Sequence, residues 1–526
     1  MASNDFQSSG GRSVKIGIAC LIALNLLLRS WVAFRPLEIT DAVSIPDDTY
    51  ISLTLARNIA HGSGVTFAGE TTSGFQPLFV FLMVPVFLAA SHDAFLPVHI
   101  AIGLSAAFDT ITLLLLCMVV VRRCKSPLVV FPAAMAWIFN PAGIHTATNG
   151  METSLACCFL MGGLVRTDKE IVRSGANVTR RASLSVGLLV GLGMIARIDN
   201  IFLGASALAV LIVLGRNDLP GACRNAFVLL LGLIAAYLPW LAFSYFTTQD
   251  LFPISGKAVR LMSLATVDFK PTWGNWYSLV LRAGLEAVFR VSKTILVGGG
   301  VTLVLLLLLR GKSSGRIQER SAWVWPAVIF SIMLFAAYTL YVFGPWFYTR
   351  YLFSSSIAFL LIFALLVDLL LEKLSYERQK RIAAIGIAGL ISVVNLADPG
   401  FREIYVAGEK PASGYMNVGL WAKRSFSHGT VIGCAQSGAI GYFADSLQVV
   451  NLDGVVSKSS YESLLHFRSL GYLRERRVQY VVGWYSNFQY LEHQSEGGRL
   501  EGLGPITKIE GIQSWGYDWY LARVIY

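Results

Sequence analysis

Charge is what this sequence has least of. Only 14% of its 526 residues are Asp, Glu, Lys or Arg, while 55% are hydrophobic and mean hydropathy is +0.58. A soluble globular chain carries about 25% charged residues, so a soluble fold is excluded and an integral membrane protein is indicated. Acids are the scarcer sign: 43 Lys and Arg face 32 Asp and Glu, a net charge of +11. That surplus sits in short loops between apolar runs, as the positive-inside bias requires, so it does not imply a nucleic-acid partner. The seven cysteines form no framework. Cys20, Cys117, Cys157 and Cys158 fall inside apolar runs, Cys124 and Cys223 in basic loops, and only Cys434 near the C-terminus, which excludes zinc spacing and argues against disulfides. Internal repeats and low-complexity tracts are lacking too. Gly438 and Gly441 lack the strand–GxGxxG–helix frame of a nucleotide site. The sequon Asn177-Val178-Thr179 falls in a loop expected to be cytoplasmic and is read as accidental.

Long apolar runs are what the chain has most of. Taking runs of about 17–25 residues as spans, candidates lie at 14–34, 97–121, 126–147, 152–166, 182–198, 200–215, 225–246, 292–310, 323–343, 351–371 and 382–397. The first follows Arg12 and Lys15 and is too long for a signal-peptide core, so it reads as a retained anchor with a cytoplasmic N-terminus. The run 74–90 is ambiguous, and orientation decides it. If it lies along the surface, the basic loops Arg122-Arg123-Cys124-Lys125, Arg166 to Arg181, Arg310 to Arg320 and Glu372 to Arg381 all fall inside. The expected architecture is a mostly α, multi-spanning membrane protein of about eleven transmembrane helices. Residues 1–397 form the membrane domain, with 35–96 as one large external loop, and residues 398–526 form an extracytoplasmic α/β domain. In that loop Asp48 to Ala60 reads as a helix along the interface, started by Pro46 and capped by Asp47 or Asp48. In the tail, Thr430 to Cys434, Gln448 to Leu452, Val478 to Trp484 and Tyr520 to Tyr526 read as strands and Ser459 to Arg477 as helix.

This topology gathers on the outer face the polar residues that composition does not explain: Asp47 and Asp48, Asn149 to Thr153, Arg197 to Asn200, the loop 247–291 and Trp346 to Tyr351. Paired carboxylates at a membrane border are costly and therefore a functional hypothesis. They could be a general base, a metal ligand or a solvated helix start. Moving a sugar from a lipid phosphate to a hydroxyl needs one base for the acceptor proton. It needs no strong acid, because phosphate leaves readily, and it needs cations for the charge that develops. Lys257, Arg260 and Arg350 are candidates for the phosphate, although Arg350, beside Phe347, Tyr348 and Tyr351, could simply anchor the interface. Arg57 could contact phosphate or pair with Asp48. His61 and His145 read as structural, and Asp109 and Asp368 as partners in helix–helix pairing.

The segment Asp47-Asp48-Thr-Tyr-Ile-Ser-Leu, followed by Ala56-Arg57-Asn58-Ile-Ala-His61-Gly62, resembles the first external loop of GT-C glycosyltransferases. The likeness is nearest to bacterial polyprenyl-phosphate-sugar-dependent enzymes related to the arabinofuranosyltransferases, and more distant to the aminoarabinose and protein O-mannosyl transferases. Ser73-Gly74-Phe75-Gln76-Pro77-Leu78 is similar to the segment ending that loop, and Asn149-Gly150-Met151-Glu152-Thr153 to the acidic motif between the third and fourth spans. Phe252-Pro253-Ile-Ser255-Gly256-Lys257 and Thr349-Arg350-Tyr351-Leu352 fit the same pattern, as do Gly438 to Phe443 and Val450 to Gly454 in the tail. The ordered set covers nearly the whole chain. It implies an inverting transfer with Asp47 as catalytic base and Asp48 as partner, holding the acceptor or a divalent metal. Glu152 would position acceptor or donor, with Gln76 and Tyr351 joining Arg57, Lys257, Arg260 and Arg350 at the substrates. Asp199 is a departure, since Ile198-Asp199 stands where related proteins often have Pro-Glu.

The function so implied is transfer of a sugar from a polyprenyl-phosphate carrier to a hydroxyl of an envelope glycan, lipid or protein. It would occur at the outer face of a bacterial cytoplasmic (inner) membrane, with the tail covering the site or gripping the acceptor. No cofactor is implied beyond the metal that the two acids could hold. A transporter or flippase would explain the spans but tends to carry repeats and broken helices. A scaffold leaves the acids unexplained. An O-antigen ligase or polymerase would differ in using a diphosphate-linked donor.

Overall fold

The computed structural model of the chain describes residues 2–90, 93–175, 177–266, 274, 276–309, 321–406, 413–498, 500 and 502–526. The basic segment Arg310 to Arg320 lies outside these. The membrane part comprises α1 (Ala2–Phe34), α2 (Leu37–Val43), α3 (Asp47–Ala60), α4 (Pro77–Ala89), α5 (Leu96–Arg123), α6 (Val130–Ile138), α7 (Pro141–Ala147) and α8 (Thr153–Thr167). It continues through α9 (Arg180–Ala196), α10 (Ile201–Leu214), α11 (Leu219–Thr248), α12 (Ile254–Thr266), α13 (Arg282–Leu308), α14 (Trp325–Ala337), α15 (Ser356–Lys373) and α16 (Glu377–Leu396). Among the described residues each expected span falls mainly on helix, that at 126–147 on two. Among the described residues seven helices are long and apolar enough to cross a membrane, eight if α6 and α7 are one broken span bent by 66°. The bend has a local cause. Asn140 accepts from the amides of Ala142 and Gly143, and Pro141 opens the new helix, so the chain caps and restarts there. Helices α8, α9 and α10 have 15, 17 and 14 residues, short of the ~30 Å apolar core on length alone. Helix α4, with 13 residues and Pro85 inside it, is shorter still. Leu27, Trp31, Phe246, Leu307, Ile385 and Val393 are all exposed on the bundle's outside, where lipid would cover them.

Several polar side chains inside the bundle are paired. Asp109 on α5 accepts from Asn25 and Arg29 on α1 and from the Trp137 indole on α6, at 3.0, 3.1 and 3.1 Å. Arg29 also donates to the Ile138 carbonyl at 2.6 Å. Asp368 accepts from the Ser126 amide at 3.0 Å. Both acids thus hold helices together, as their place in the apolar runs suggests. At one end of the bundle ion pairs join Arg123 to Asp168 and Lys125 to Glu372, tying together loops expected inside. Ser105, eighteen residues before Arg123 on α5 and so ~27 Å away along the helix, donates to the Met151 carbonyl at 3.0 Å, at the other end.

After the short helix α17 (Pro399–Tyr405), the C-terminal domain is built around one mixed sheet. Its helices are α18 (Tyr415–Ser425), α19 (Gly438–Phe443), α20 (Lys458–Leu465), α21 (Ser469–Glu475) and α22 (Tyr485–His493). The strands β3 (Val431–Cys434), β4 (Gln448–Asn451), β5 (Tyr480–Trp484), β6 (Thr507–Ser514) and β7 (Tyr517–Arg523) follow a small hairpin in the segment 35–96, β1 (Thr66–Phe67) and β2 (Glu70–Thr71). Sheet order is β4-β3-β5-β7-β6, parallel across the first three and antiparallel thereafter. The expected helix Ser459 to Arg477 is broken, because Phe467 takes φ +56 between α20 and α21. Helix α3 does not lie on lipid. Tyr50, Leu53, Leu55 and Ala56 are buried in a core shared with Met416, Val418, Ile440, Tyr442 and Phe443 of the soluble domain.

Replacing Asp109 by Ala leaves the Arg29 guanidinium buried without its carboxylate, a change that costs about 3–5 kcal/mol for such pairs. The expected outcome is a clearly lowered thermal midpoint in detergent and reduced yield from membranes, with Asp109→Asn milder than Asp109→Ala.

Candidate active site

The site forms where the first turn of α3 meets three loops at that same end of the bundle. Pro46 is the N-cap residue (φ −79°, ψ 161°), so the helix begins at Asp47. Neither acid caps it: there is no side-chain capping bond, which corrects the capping expectation. Consecutive helical residues differ by about 100° in direction, and the two carboxylates part accordingly. Asp47 turns into the soluble domain, where its oxygens accept from the amides of Gly438 and Ala439 at 2.7 and 2.8 Å. Asp48 stays a third exposed and receives the Arg350 guanidinium at 2.6 Å.

The neighbouring loop is locked to this turn. Thr49 donates to the Asn149 carbonyl at 2.7 Å, and Gly150, at φ +69, leaves only 3.0 Å between a Cβ built there and the Thr49 methyl. Met151 and Glu152 are thereby carried to Arg350, which touches the Met151 sulfur at 3.3 Å. Burial works against the charge on Arg350, but Asp48, Tyr351 and Glu152 outweigh it and raise its pKa. Phe347 and Tyr351 lie against the guanidinium at 5.2 Å each. Its Nε is buried without a hydrogen-bond partner among the described residues. Behind Tyr351 lies a second cation. Arg197 sits 5.4 Å from that ring and pairs with Asp199 at 2.7 Å, while Tyr338 donates to Asp199 at 2.8 Å and stacks on Tyr351 at 4.5 Å.

Of the expected residues, the structure therefore brings together Asp48, Glu152, Arg350 and Tyr351, with Asp47 at their border facing away. Arg57 is directed to the soluble domain rather than to Asp48, donating to the carbonyls of Tyr442 and Gly441 at 2.8 and 3.0 Å. Gln76 opens α4 without a capping bond. Lys257 binds Asp250 at 2.9 Å, a carboxylate it shares with Lys458 at 3.4 Å. Arg260, on the same helix α12, lies over Tyr341 at 4.6 Å and Phe343 at 5.8 Å, along the segment that leads to Arg350. Phe343 holds φ +58, a strained setting for a bulky residue. His145 packs against Trp515 at 6.2 Å.

Tyr338 does not stand out from the sequence, and Arg197 and Asp453 lie in segments that do but carry no role of their own there. Asp453 lies in the turn after β4, and the charge of Asp48 reaches it. Its signal was the Val450 to Gly454 motif, whose acid carries no mark of where it points. A shared metal does not suit the paired acids, since one is spent on backbone amides and the other on Arg350. Among the described residues no group of three or more His, Cys, Asp and Glu side chains could hold an ion.

A family model described as Domain of unknown function (DUF8728) matches residues 402–521. No curated protein matches the sequence. Among solved structures the chain is similar to ArnT from Cupriavidus metallidurans bound to undecaprenyl phosphate. The TM-score is 0.55 at 11% identity, over 96% of this chain and 98% of that one. The apo form of that protein gives 0.57 at 10% identity with the same coverage. The oligosaccharyltransferase of Archaeoglobus fulgidus, tethered to an acceptor peptide, gives 0.52 at 12% identity over 94% and 74%. The fold is GT-C. The likeness covers both the helical bundle and the C-terminal domain.

Burial pushes the Asp47 carboxyl up to about 8, against the two amide bonds that pull it down. It pushes Asp453 up to about 7, with the charge of Asp48 adding to it. Both acids titrate near ~4 in an unfolded chain, so between there and these values the folded protein holds protons that unfolding releases. Stability is then fullest at low pH and falls as pH rises toward about 8. Thermal midpoints in detergent should decline from about pH 5 to about pH 8, and Asp453→Asn should flatten that decline. A midpoint that climbs with pH would contradict the assignment.

Proposed function

We propose that this protein is an inverting glycosyltransferase that moves a sugar from a polyprenyl-phosphate donor to a hydroxyl of a cell-envelope glycan, lipid or protein. The membrane is the bacterial cytoplasmic membrane, and the site and soluble domain face outward. The observation that carries this reading is the pairing of the one-third-exposed Asp48 carboxylate with Arg350, whose buried Nε has no hydrogen-bond partner among the described residues. A base and a cation with a spare donor stand side by side, which is what an acceptor hydroxyl and a leaving phosphate require. ArnT, whose fold the chain shares, binds undecaprenyl phosphate, and that supports a lipid-linked donor.

In this mechanism Asp48, rather than Asp47, takes the acceptor's proton as its oxygen attacks the anomeric carbon. The attack comes from the face opposite the phosphate. The bond from that carbon to the phosphate oxygen breaks, and polyprenyl phosphate leaves with the electron pair. Arg350 receives the charge that develops, with Arg260 as a second cation along the aromatic segment Tyr341 to Tyr351. Glu152 keeps both Arg350 and Arg197 charged and in place. Lys257, already bound to Asp250, serves at most the outer part of the donor.

With the full chain in nanodiscs and a panel of polyprenyl-phosphate sugars, Asp48→Asn should lower kcat by about 10²–10⁴-fold, the usual share of a general base. Arg350→Gln should raise the donor KM as well as lower kcat. Wild-type transfer by Asp48→Asn would remove the base from this position.

A further inference from the structure

Three acids of the external loop 35–96 each stand at the start of a different helix of the C-terminal domain. Asp41 accepts from the Met416 amide, at the start of α18, at 2.7 Å, and from the Tyr50 hydroxyl at 2.6 Å. Asp47 takes the first two amides of α19. Glu70 accepts from Ser457 and Ser459, at the start of α20, at 2.7 and 2.6 Å, and pairs with Arg476 at 2.7 Å. Helix α19 is also held at its other end, where Arg57 takes the carbonyls of Gly441 and Tyr442 and lies 5.1 Å from the Tyr442 ring. One helix of the loop thus grips one helix of the soluble domain at both ends. Asp47 and Arg57 are ten residues apart on α3, ~15 Å of helix, enough to bracket the six residues of α19. The contact is tight: a Cβ at Gly438 would lie 2.2 Å from the Asp47 carbonyl oxygen, so only glycine fits there.

The residue after Asp47 is Asp48. We propose that the C-terminal domain is a working part of the catalytic centre, and that Asp47 is a positioning residue. By fixing the first turn of α3 to Gly438 and Ala439, it sets the direction in which Asp48 presents its carboxylate beside Arg350. Arg57 serves the same end from the far side of α19. This rests on Asp48 being the base. It gives the paired acids separate tasks, one structural and one chemical, and explains why the neighbouring carboxylates are not interchangeable.

The test compares Asp47→Asn, Arg57→Ala, Arg57→Lys, the Asp47→Asn/Arg57→Ala double variant and Asp48→Asn, all in the full chain. Misplacing a catalytic group by about 1 Å can cost ~10²-fold, so Asp47→Asn and Arg57→Ala should each lower kcat by up to that factor with donor KM little changed. Arg57→Lys should recover part of the loss. The double variant should be no worse than the poorer single one, because both release the same helix. The acid limb of the pH–rate profile should survive in both single variants and vanish only in Asp48→Asn. Loss of that limb in Asp47→Asn, or losses that multiply in the double variant, would overturn the proposal. Should Asp47→Asn fail to fold, Arg57→Ala carries the same comparison. Hydrogen exchange at 438–443 separates this proposal from the transferase reading. It should quicken in Asp47→Asn and Arg57→Ala and stay unchanged in Asp48→Asn. If it does so while wild-type protein transfers no sugar, the transferase reading falls and the grip stands. If it does not quicken, the grip itself is wrong.

Discussion

The angle between consecutive residues on a helix governs this site. About 100° separates Asp47 from Asp48, so two adjacent carboxylates cannot serve one partner. One is drawn into the soluble domain by two backbone amides, and the other is left beside Arg350 at the edge of the membrane bundle. The rest of the site is arranged around that division. The Asn149-Gly150 turn presses on the same first turn of α3 and delivers Glu152. The aromatic segment 338–351 brings Arg350 with Tyr351 as its backing, and Arg197 and Asp199 support that ring from behind.

Electrostatics explains why such a site can sit at a membrane border. Each buried ionisable group here has a counter-charge or hydrogen-bond partners: Arg350 with Asp48, Arg197 with Asp199, Asp47 with amides, and Asp41 with Tyr50 and Met416. A charge without such partners would be expelled to water or neutralised. Low dielectric also strengthens the interactions that remain. An orphan N–H on a partly desolvated guanidinium is therefore a strong invitation to an anion. The same reasoning separates the site's end of the bundle from its middle, where Asp109 spends its oxygens on Arg29, Asn25 and Trp137 and is left with holding helices together.

Much of this architecture was legible in the residues. Apolar runs located the helices, because crossing or lining a membrane demands them. Alternation and β-branched residues located β3, β4 and β5 to within two residues. Strand β7 lies three residues earlier than expected, and β6 was missed. Its solvent-facing residues include the charged Lys508 and Glu510 and the glycine Gly511, and a register shift between Lys508 and Gln513 interrupts its pairing. The helix at Asp48 to Ala60 was legible, but its surroundings were not: a face of Tyr50, Leu53 and Ala56 suits lipid and a protein domain equally well. For the site, sequence picked out Asp48, Glu152, Arg350 and Tyr351, which the structure gathers. It did not reveal the orientation of Asp47, whose partners lie more than 390 residues further on, nor that Arg57 faces the same helix. Those facts depend on long-range packing that no local pattern encodes.

The central claim is that one carboxylate, Asp48, drives a single displacement at the anomeric carbon. The most direct measurement is the anomeric configuration of the product formed by wild-type protein from a polyprenyl-phosphate sugar of known configuration, read by NMR. A single displacement predicts complete inversion. Retention would mean a covalent or ion-pair intermediate and two displacements, and it would contradict the account.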